Sequence, residues 1–163
     1  MNSKKRLSLD TNVLLDLAGG SEVVHDFRET FQTKGYRLFV VPTVAEELAF
    51  LRLEGNEEQR GLAHIVLVNA EQWALTPLSL PTAAEPICEK FACRLIEKCL
   101  IPLDEFNDGL ILAETSFLEI PGLVTSDHHL TDIEPSELNR AFAAAELPLV
   151  TVFHPKRLLR AIY

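Results

Sequence analysis

The chain has 163 residues, of which 47% are apolar and 24% charged, and its net charge is −9. This length suits one domain over residues 1–163 with its own hydrophobic core, and no apolar run approaches the roughly 20 residues that cross a bilayer. The negative charge argues against a protein that binds nucleic acid tightly, at any sequence, through phosphate contacts alone.

The N-terminus and the cysteines favour a cytoplasmic protein. The first residues, MNSKKRLSLD, are basic, but the apolar run is short and ends at Asp10, so we expect no signal peptide. Cys88, Cys93 and Cys99 are odd in number, form no CxxC pair and share one predicted helix. We therefore expect buried thiols in a reducing compartment.

Strands and helices alternate along the chain. The predicted strands are RLSL (6–9), YRLFVV (36–41), an irregular or extended segment at 74–80, GLVTSD (122–127) and PLVTVF (148–153). The predicted helices cover residues 12–18, 21–33, 42–54, 56–68, 83–99, the segment that IPLDEFND opens and that runs to 118, 135–147 and 155–162. This alternation predicts an α/β fold, a three-layer α/β/α sandwich around a mainly parallel sheet of four to five strands.

Two of the predicted strands end on an aspartate. Asp10 follows RLSL and Asp127 closes GLVTSD. Sites in open parallel sheets form beyond the carboxyl ends of the strands, so we expect both side chains at one edge. Each aspartate alone is also typical of a helix N-cap, with Ser126 as a rival cap beside Asp127. Their occurrence at two strand ends favours a functional site.

The helix predicted from Pro42 offers two glutamates, and helical spacing separates them. Glu47 lies at the margin of the apolar stripe that contains Val44 and Leu48, whereas Glu46 points away from it. Metal coordination would explain a carboxylate at that margin. The alternative is a side chain packed at the rim with its carboxylate in water.

Asp108 lies in a helix that is apolar on two sides. In DEFNDGLILAETSFL, it falls between Ile111 and Leu112 on the second apolar side. A buried carboxylate is costly unless it is paired or bound to a cation. We expect Asp104 to be the N-cap of this helix, so capping does not explain Asp108. Asp104 remains a candidate outer ligand.

Asp10, Glu47, Asp108 and Asp127 are therefore expected to share one site. Like charges at such short distances repel and take up protons, unless a divalent ion binds them. A site made only of carboxylates suits Mg²⁺ or Mn²⁺ rather than zinc. Two such ions about 3.5–4 Å apart would hold the attacking and leaving oxygens of a phosphodiester. The residues thus predict a metal-dependent phosphoryl-transfer site.

The same segments resemble the motifs of the PIN domain, a nuclease module found in the toxins of bacterial type II toxin–antitoxin systems. LSLDTNVLLDL, VPTVAEEL, NDGLILAE and LVTSDHHL resemble the family's four acidic motifs, in the family's order. PLVTVFHPKRLL is similar to the usual last strand and helix. The resemblance places the four acids at the positions named above and supporting polar groups at Asn12 and Thr125. Residues 55–103 carry no recognised motif, so the role of this helical segment is unassigned.

The resemblance implies a Mg²⁺- or Mn²⁺-dependent endoribonuclease that hydrolyses RNA by water attack and leaves a 5′-phosphate and a 3′-hydroxyl. It also implies an antitoxin that covers the acidic cleft, and a homodimer. Because the body of the protein is acidic, RNA would need a local basic rim. The candidates for this rim are Lys4–Arg6, Arg52, Arg60, Lys156, Arg157 and Arg160.

Two other functions use the same residues. A phosphatase with Asp10 as nucleophile would also have a strand that ends on Asp, although Asn12 stands where that chemistry normally has a second Asp. A non-catalytic PIN-like module would bind RNA or a protein without turnover. The presence of all four acids argues against a decayed site.

Overall fold

The structure is a computed structural model that describes residues 4–163. Five strands form its sheet, and they are β1 (Arg6–Leu9), β2 (Arg37–Val40), β3 (Leu75–Pro77), β4 (Gly122–Val124) and β5 (Thr151–Phe153). The strand order is β3-β2-β1-β4-β5, and every neighbouring pair is parallel. This arrangement confirms the predicted three-layer α/β/α fold.

The strands are connected by helices. Within residues 4–163 the α-helices are α1 (Thr11–Ala18), α2 (Glu22–Thr33), α3 (Pro42–Glu54), α4 (Glu57–Asn69), α5 (Glu85–Glu97), α6 (Phe106–Phe117), α7 (His128–Thr131), α8 (Pro135–Ala144) and α9 (Pro155–Arg160). In this part of the chain, none of them has both the length and the apolar character that spanning a membrane requires.

The strands β2 to β5 are all shorter in the structure than the sequence predicts, and β4 is the one that bears on an acid. β4 ends at Val124, three residues before Asp127, and the short helix α7 begins directly after Asp127. The carboxylate of Asp127 accepts a hydrogen bond from the backbone N–H of His129 and so caps α7. The prediction of a strand through 127 is therefore wrong, whereas the acid still follows a strand end.

β1 occupies the centre of the sheet and is covered on both faces. Leu7, Ser8 and Leu9 are all buried, as expected for a parallel strand between two helical layers. The chain passes from β1 to β2 and β3 on one side, and then crosses to β4 and β5 on the other. The order therefore reverses between β1 and β4, where open α/β sheets commonly form their sites.

Residues 55–103 form α4, the edge strand β3 and α5, and α5 packs closely against α6. A Cβ atom at Gly109 of α6 would lie 2.7 Å from the Cβ and 2.8 Å from the Cα of Ala92. Such distances are shorter than van der Waals contact, so glycine lets the two helices approach. This segment consequently supports the helix that carries Asp108.

The prediction of three buried thiols is wrong for two of them. Cys88 is buried, whereas Cys93 and Cys99 are exposed, and all three are free. Cys88 shares the buried face of α5 with Phe91 and Leu95, at helical spacing. Cys93 lies outside that stripe and Cys99 follows the end of the helix.

Candidate metal centre

Asp10 joins β1 to α1 and is only 3% exposed. Its Oδ1 accepts the N–H of Thr11 at 2.7 Å, so it is the N-cap of α1. Its Oδ2 accepts hydrogen bonds from Thr125 Oγ1 at 2.7 Å and from Asn12 Nδ2 at 3.2 Å. Asp10 can therefore cap α1 and still belong to the site.

Asn12 and Thr125 connect the ends of β1 and β4. Asn12 Nδ2 also donates to Thr125 Oγ1 at 3.2 Å, and its Oδ1 accepts from the backbone N–H and the hydroxyl of Ser126, each at 3.1 Å. Thr125 Oγ1 accepts the N–H of Asp127 at 3.0 Å. The two acids that follow the strands thus belong to one hydrogen-bond network.

Glu47 reaches this network from α3. It is half-buried, and its Oε1 accepts a hydrogen bond from Thr11 Oγ1 at 2.9 Å, while the neighbouring Glu46 is exposed. Burial raises the pKa of Glu47, and the nearby carboxylates of Asp10 and Glu105 raise it further. The structure therefore brings Glu47 to the end of β1.

Asp108 lies in the first turn of α6 and is 8% exposed. Its Oδ2 is buried and has no hydrogen-bond partner among residues 4–163. Burial raises the pKa of Asp108 to about 9, with further increases from Asp10, Asp127 and Glu105. A buried acceptor without a partner among other acids is a strong sign that something else binds there.

The prediction that Asp104 is the N-cap of this helix is wrong. Asp104 is exposed in a turn that closes with a hydrogen bond from Glu105 N to the carbonyl of Pro102, at 3.1 Å. The helix therefore begins at Phe106, after Glu105. Sequence reasoning missed this turn because it placed the helix start one residue too early.

Glu105 is the acid that the sequence did not single out. Glu105, Asp108 and Asp127 each offer a carboxylate oxygen, and these oxygens lie within 4.8 Å of one another. Glu105 and Asp108 are three residues apart, with Glu105 as the N-cap residue of α6 and Asp108 in its first turn, so both lie at the start of this helix. That spacing was a usable signal once the helix start was known.

These carboxylates have little compensating positive charge. Among residues 4–163, no lysine or arginine forms an ion pair with Asp10, Glu47, Glu105 or Asp108. The carboxylate of Asp127 lies 3.9 Å from Nδ1 of His128. Burial raises the pKa of Asp10, and Asp127 adds to this, against three hydrogen bonds that lower it. Protons or a cation must offset this charge.

The chemistry of the donors indicates which cation fits. Oxygen atoms of carboxylates are the ligands that Mg²⁺ and Mn²⁺ prefer, and the orphaned Oδ2 of Asp108 is a ready ligand atom. His128 and His129 lie beside Asp127 with ring centroids 4.1 Å apart, and form a second group with it. Both belong to α7, and Asp127 is a member of both groups.

Two of the basic clusters proposed to hold RNA lie at opposite edges of the sheet. Lys5 donates to the carbonyl of Lys34 at 2.7 Å, and Arg6 begins β1, whose other end leads to Asp10. Lys4–Arg6 therefore lies at the edge opposite the acids, and its predicted place beside them is wrong. By contrast, α9 starts after the carboxyl end of β5, with Lys156 and Arg157 exposed in its first turn.

Comparisons with known proteins find a likeness in structure and none in sequence. No family model and no curated protein matches the chain. A solved structure of VapBC2 from Rickettsia felis, bound to a DNA fragment from their promoter, contains a similar chain with a TM-score of 0.64. The two are 15% identical, over 91% of this chain and 98% of that one. An identity this low shows a shared fold alone, which agrees with the three-layer α/β/α architecture that the alternation of strands and helices predicts.

Proposed function

We propose that this protein is a Mg²⁺- or Mn²⁺-dependent endoribonuclease whose metal ligands are Asp10, Glu47, Asp108 and Asp127. The observation that supports this most is Asp108, a buried carboxylate with an orphaned oxygen, surrounded by other acids and without a cationic side chain. Asn12 and Thr125 support the ligands. Asp104 is exposed and has no part in the proposal.

The number of carboxylates suits two ions. Glu105, Asp108 and Asp127 offer oxygens within 4.8 Å of one another, and Asp10 and Glu47 lie at the end of β1, so these five carboxylates together could hold two Mg²⁺ or Mn²⁺ ions. When bound, such ions supply a water of lowered pKa and positive charge for the transferring phosphoryl group. Attack by external water would leave a 5′-phosphate and a 3′-hydroxyl on RNA.

The protein's own contribution is to hold its carboxylates in fixed positions before any ion or substrate arrives. Three hydrogen bonds fix Asp10, and the hydroxyl of Thr11 fixes Glu47. Groups of this kind set the orientation of metal ligands, and reorganisation during the reaction is correspondingly small.

The biological role proposed is that of a toxin in a toxin–antitoxin pair. Support comes from the PIN-like fold shared with a chain of VapBC2, a complex bound to promoter DNA. An antitoxin would cover the acidic edge, and a homodimer is a further part of the proposal. We propose that residues 1–163 form one PIN-like domain and that the protein acts in the cytoplasm. Residues 55–103 would then support α6 by packing against it.

The alternative of an Asp10 nucleophile is less well supported. Both of its oxygens already accept hydrogen bonds, from Thr11 on one side and from Thr125 and Asn12 on the other. Asn12, one of these donors, stands where that chemistry normally has a second Asp. A metal ligand with supporting hydrogen bonds matches this arrangement better.

Cleavage of a labelled single-stranded RNA tests the proposal. Wild-type protein should cut with Mg²⁺ or Mn²⁺, stop with chelator, and leave 5′-phosphates by mass spectrometry. Asp10→Asn should reduce cleavage at least about 100-fold, because it removes a ligand charge. Mn²⁺ binding without cleavage would favour the binding module, and phosphate attached covalently to Asp10 would favour the phosphatase.

A further inference from the structure

Helix α6 carries three consecutive polar residues in a buried position. Glu114 is 5% exposed, and Thr115 and Ser116 are fully buried. Buried polar groups need hydrogen-bond partners, and each of these three bonds to a different part of the fold. These three residues and Asp108 belong to the same helix, so their hydrogen bonds connect the helix of Asp108 to other parts of the fold.

Glu114 caps helix α3 from outside. Its Oε1 accepts the backbone N–H of Thr43 at 2.8 Å, and its Oε2 accepts the hydroxyl of Thr43 at 2.6 Å. The N-cap residue of α3 is Val41, whose side chain makes no capping bond. A carboxylate at a helix N-terminus both satisfies an orphan N–H and interacts favourably with the helix dipole.

The capped turn leads directly to Glu47. Thr43 and Glu47 are four residues apart, so they lie on one face of α3, one turn from each other. Thr11 holds the carboxylate end of Glu47, while Glu114 holds the start of its helix. These two contacts therefore restrain the position of the Glu47 carboxylate relative to Asp10.

The next two residues of α6 bond elsewhere. Thr115 Oγ1 donates to the carbonyl of Ile111 at 2.7 Å, so the 2.8 Å contact has Ser8 Oγ as its donor. Ser8 lies two residues before Asp10 on β1. Ser116 donates to the carbonyl of Pro148, which belongs to no element that carries one of the acids.

We propose that Glu114 is a positioning residue that sets the place of Glu47 in the carboxylate site, by capping α3 through Thr43. The inference rests on the proposed metal-dependent function, because its consequence is the geometry of a metal ligand. Glu114 itself touches neither the ion nor the substrate.

Mn²⁺ affinity, measured by calorimetry and by the electron paramagnetic resonance of free Mn²⁺, tests this role. Glu114→Ala should weaken Mn²⁺ binding about 10-fold or more, as removal of a ligand's supporting partner usually does. Glu114→Gln should restore affinity to within about 3-fold, because its amide oxygen accepts the N–H and its NH₂ donates to the hydroxyl. Thr43→Val should give an intermediate loss and Thr43→Ser almost none.

Ser116→Ala is the matched control, since it also removes a buried hydrogen bond of α6. It should lower the melting temperature without weakening Mn²⁺ binding, at temperatures where circular dichroism shows folded protein. Equal loss of Mn²⁺ affinity in Ser116→Ala and Glu114→Ala would overturn the positioning role, as would wild-type affinity in Thr43→Val. If wild-type protein binds no Mn²⁺, the proposed function falls together with this inference. If Glu114→Ala does not fold, the Mn²⁺ affinity of Thr43→Val tests the positioning role instead.

Discussion

Asp108 combines burial with negative surroundings. Its Oδ2 lacks a hydrogen-bond partner among residues 4–163, and Asp10, Asp127 and Glu105 act on it. Burial is the largest cause that raises the pKa of Asp108 to about 9, so the metal-free protein holds a proton there at neutral pH. Metal binding should therefore release a proton from this residue.

The stability of the metal-free protein should fall as the pH rises. The pKa of Asp108 is about 9 in the folded protein, against 3.8 for an aspartate in an unfolded chain, so the folded state binds the proton more tightly. The stabilisation from that proton is complete below about pH 4 and is lost as the pH approaches 9. Thermal unfolding in chelator should show a melting temperature that decreases from pH 6 to pH 9.

Asp108→Asn is the control for this pH dependence. The amide does not titrate, so the slope between pH 6 and pH 9 should become shallower, and the metal-free variant should be more stable than wild type at pH 8. Each 1 kcal/mol should appear as about 2–4 °C in the melting temperature. An equally steep slope in the variant would assign the titration to another group.

The sequence contains the signal for some site residues and lacks it for others. Asp10 and Asp127 follow predicted strands, and Asp108 falls among apolar residues of one helix, so their positions can be inferred from local pattern. Glu105 depends on a turn at residues 102–105 that decides where α6 begins. The bond from Thr43 to Glu114 joins residues 71 positions apart, and no local pattern contains it.

At the level of elements, the ends of β1 and β4 are held together by side chains as well as by the sheet. The N–H of Asp10 donates to the carbonyl of Val124 at 2.9 Å, which continues the ladder beyond the last residue of β1. Thr125 and Asn12 then link the following residues. The alternation of elements could be predicted, whereas the end of β4 could not, because tertiary hydrogen bonds set it.

Thr125→Val tests the link between these strand ends. The substitution removes the hydroxyl that donates to Asp10 and accepts the N–H of Asp127, with little change in shape. We expect a loss of about 1–3 kcal/mol in unfolding free energy and roughly 10-fold weaker Mn²⁺ binding. Thr125→Ser keeps the hydroxyl and should retain most of both, and parallel losses in the two variants would argue against the hydrogen bonds as the cause.

Gly109→Ala tests the close packing of α5 on α6. The added methyl would meet the Cβ of Ala92 at 2.7 Å and its Cα at 2.8 Å, so the helices must separate. Overpacking of this kind costs about 1–3 kcal/mol, measured by urea unfolding. Gly61→Ala in α4 is the control, since nothing lies within 4 Å of its added methyl and alanine should stabilise that helix by about 0.5–1 kcal/mol. Destabilisation of similar size in both would contradict the packing argument.

On the scale of the whole molecule, the buried acids and a group of basic residues lie at opposite ends of the parallel strands. The carboxyl edge carries the buried acids, and the opposite edge carries Lys5, Arg6 and Arg37, with the guanidinium groups of both arginines within 5.3 Å of the Phe39 ring centroid. Composition showed only a net charge of −9, because it contains no information on placement. RNA that reaches the acids should therefore contact the cations of α9, at the same edge.

RNA binding by an inactive Asp10→Asn background tests this placement. Adding Lys156→Ala and Arg157→Ala should weaken binding and reduce the slope of log affinity against log salt by about 0.7 for each phosphate that the protein no longer neutralises. Lys5→Ala with Arg6→Ala removes the same charge from the opposite edge and should leave the slope unchanged. The reverse pattern would place the RNA path at the amino edge.

The convergence of carboxylates on a divalent ion is most directly tested by anomalous diffraction from crystals soaked in Mn²⁺. We expect a peak within about 2.0–2.3 Å of oxygens from Asp10, Asp108 and Asp127, with Glu47 bound directly or through water. Absence of any Mn²⁺ among these carboxylates, at a concentration that occupies other sites on the protein, would contradict a shared metal site.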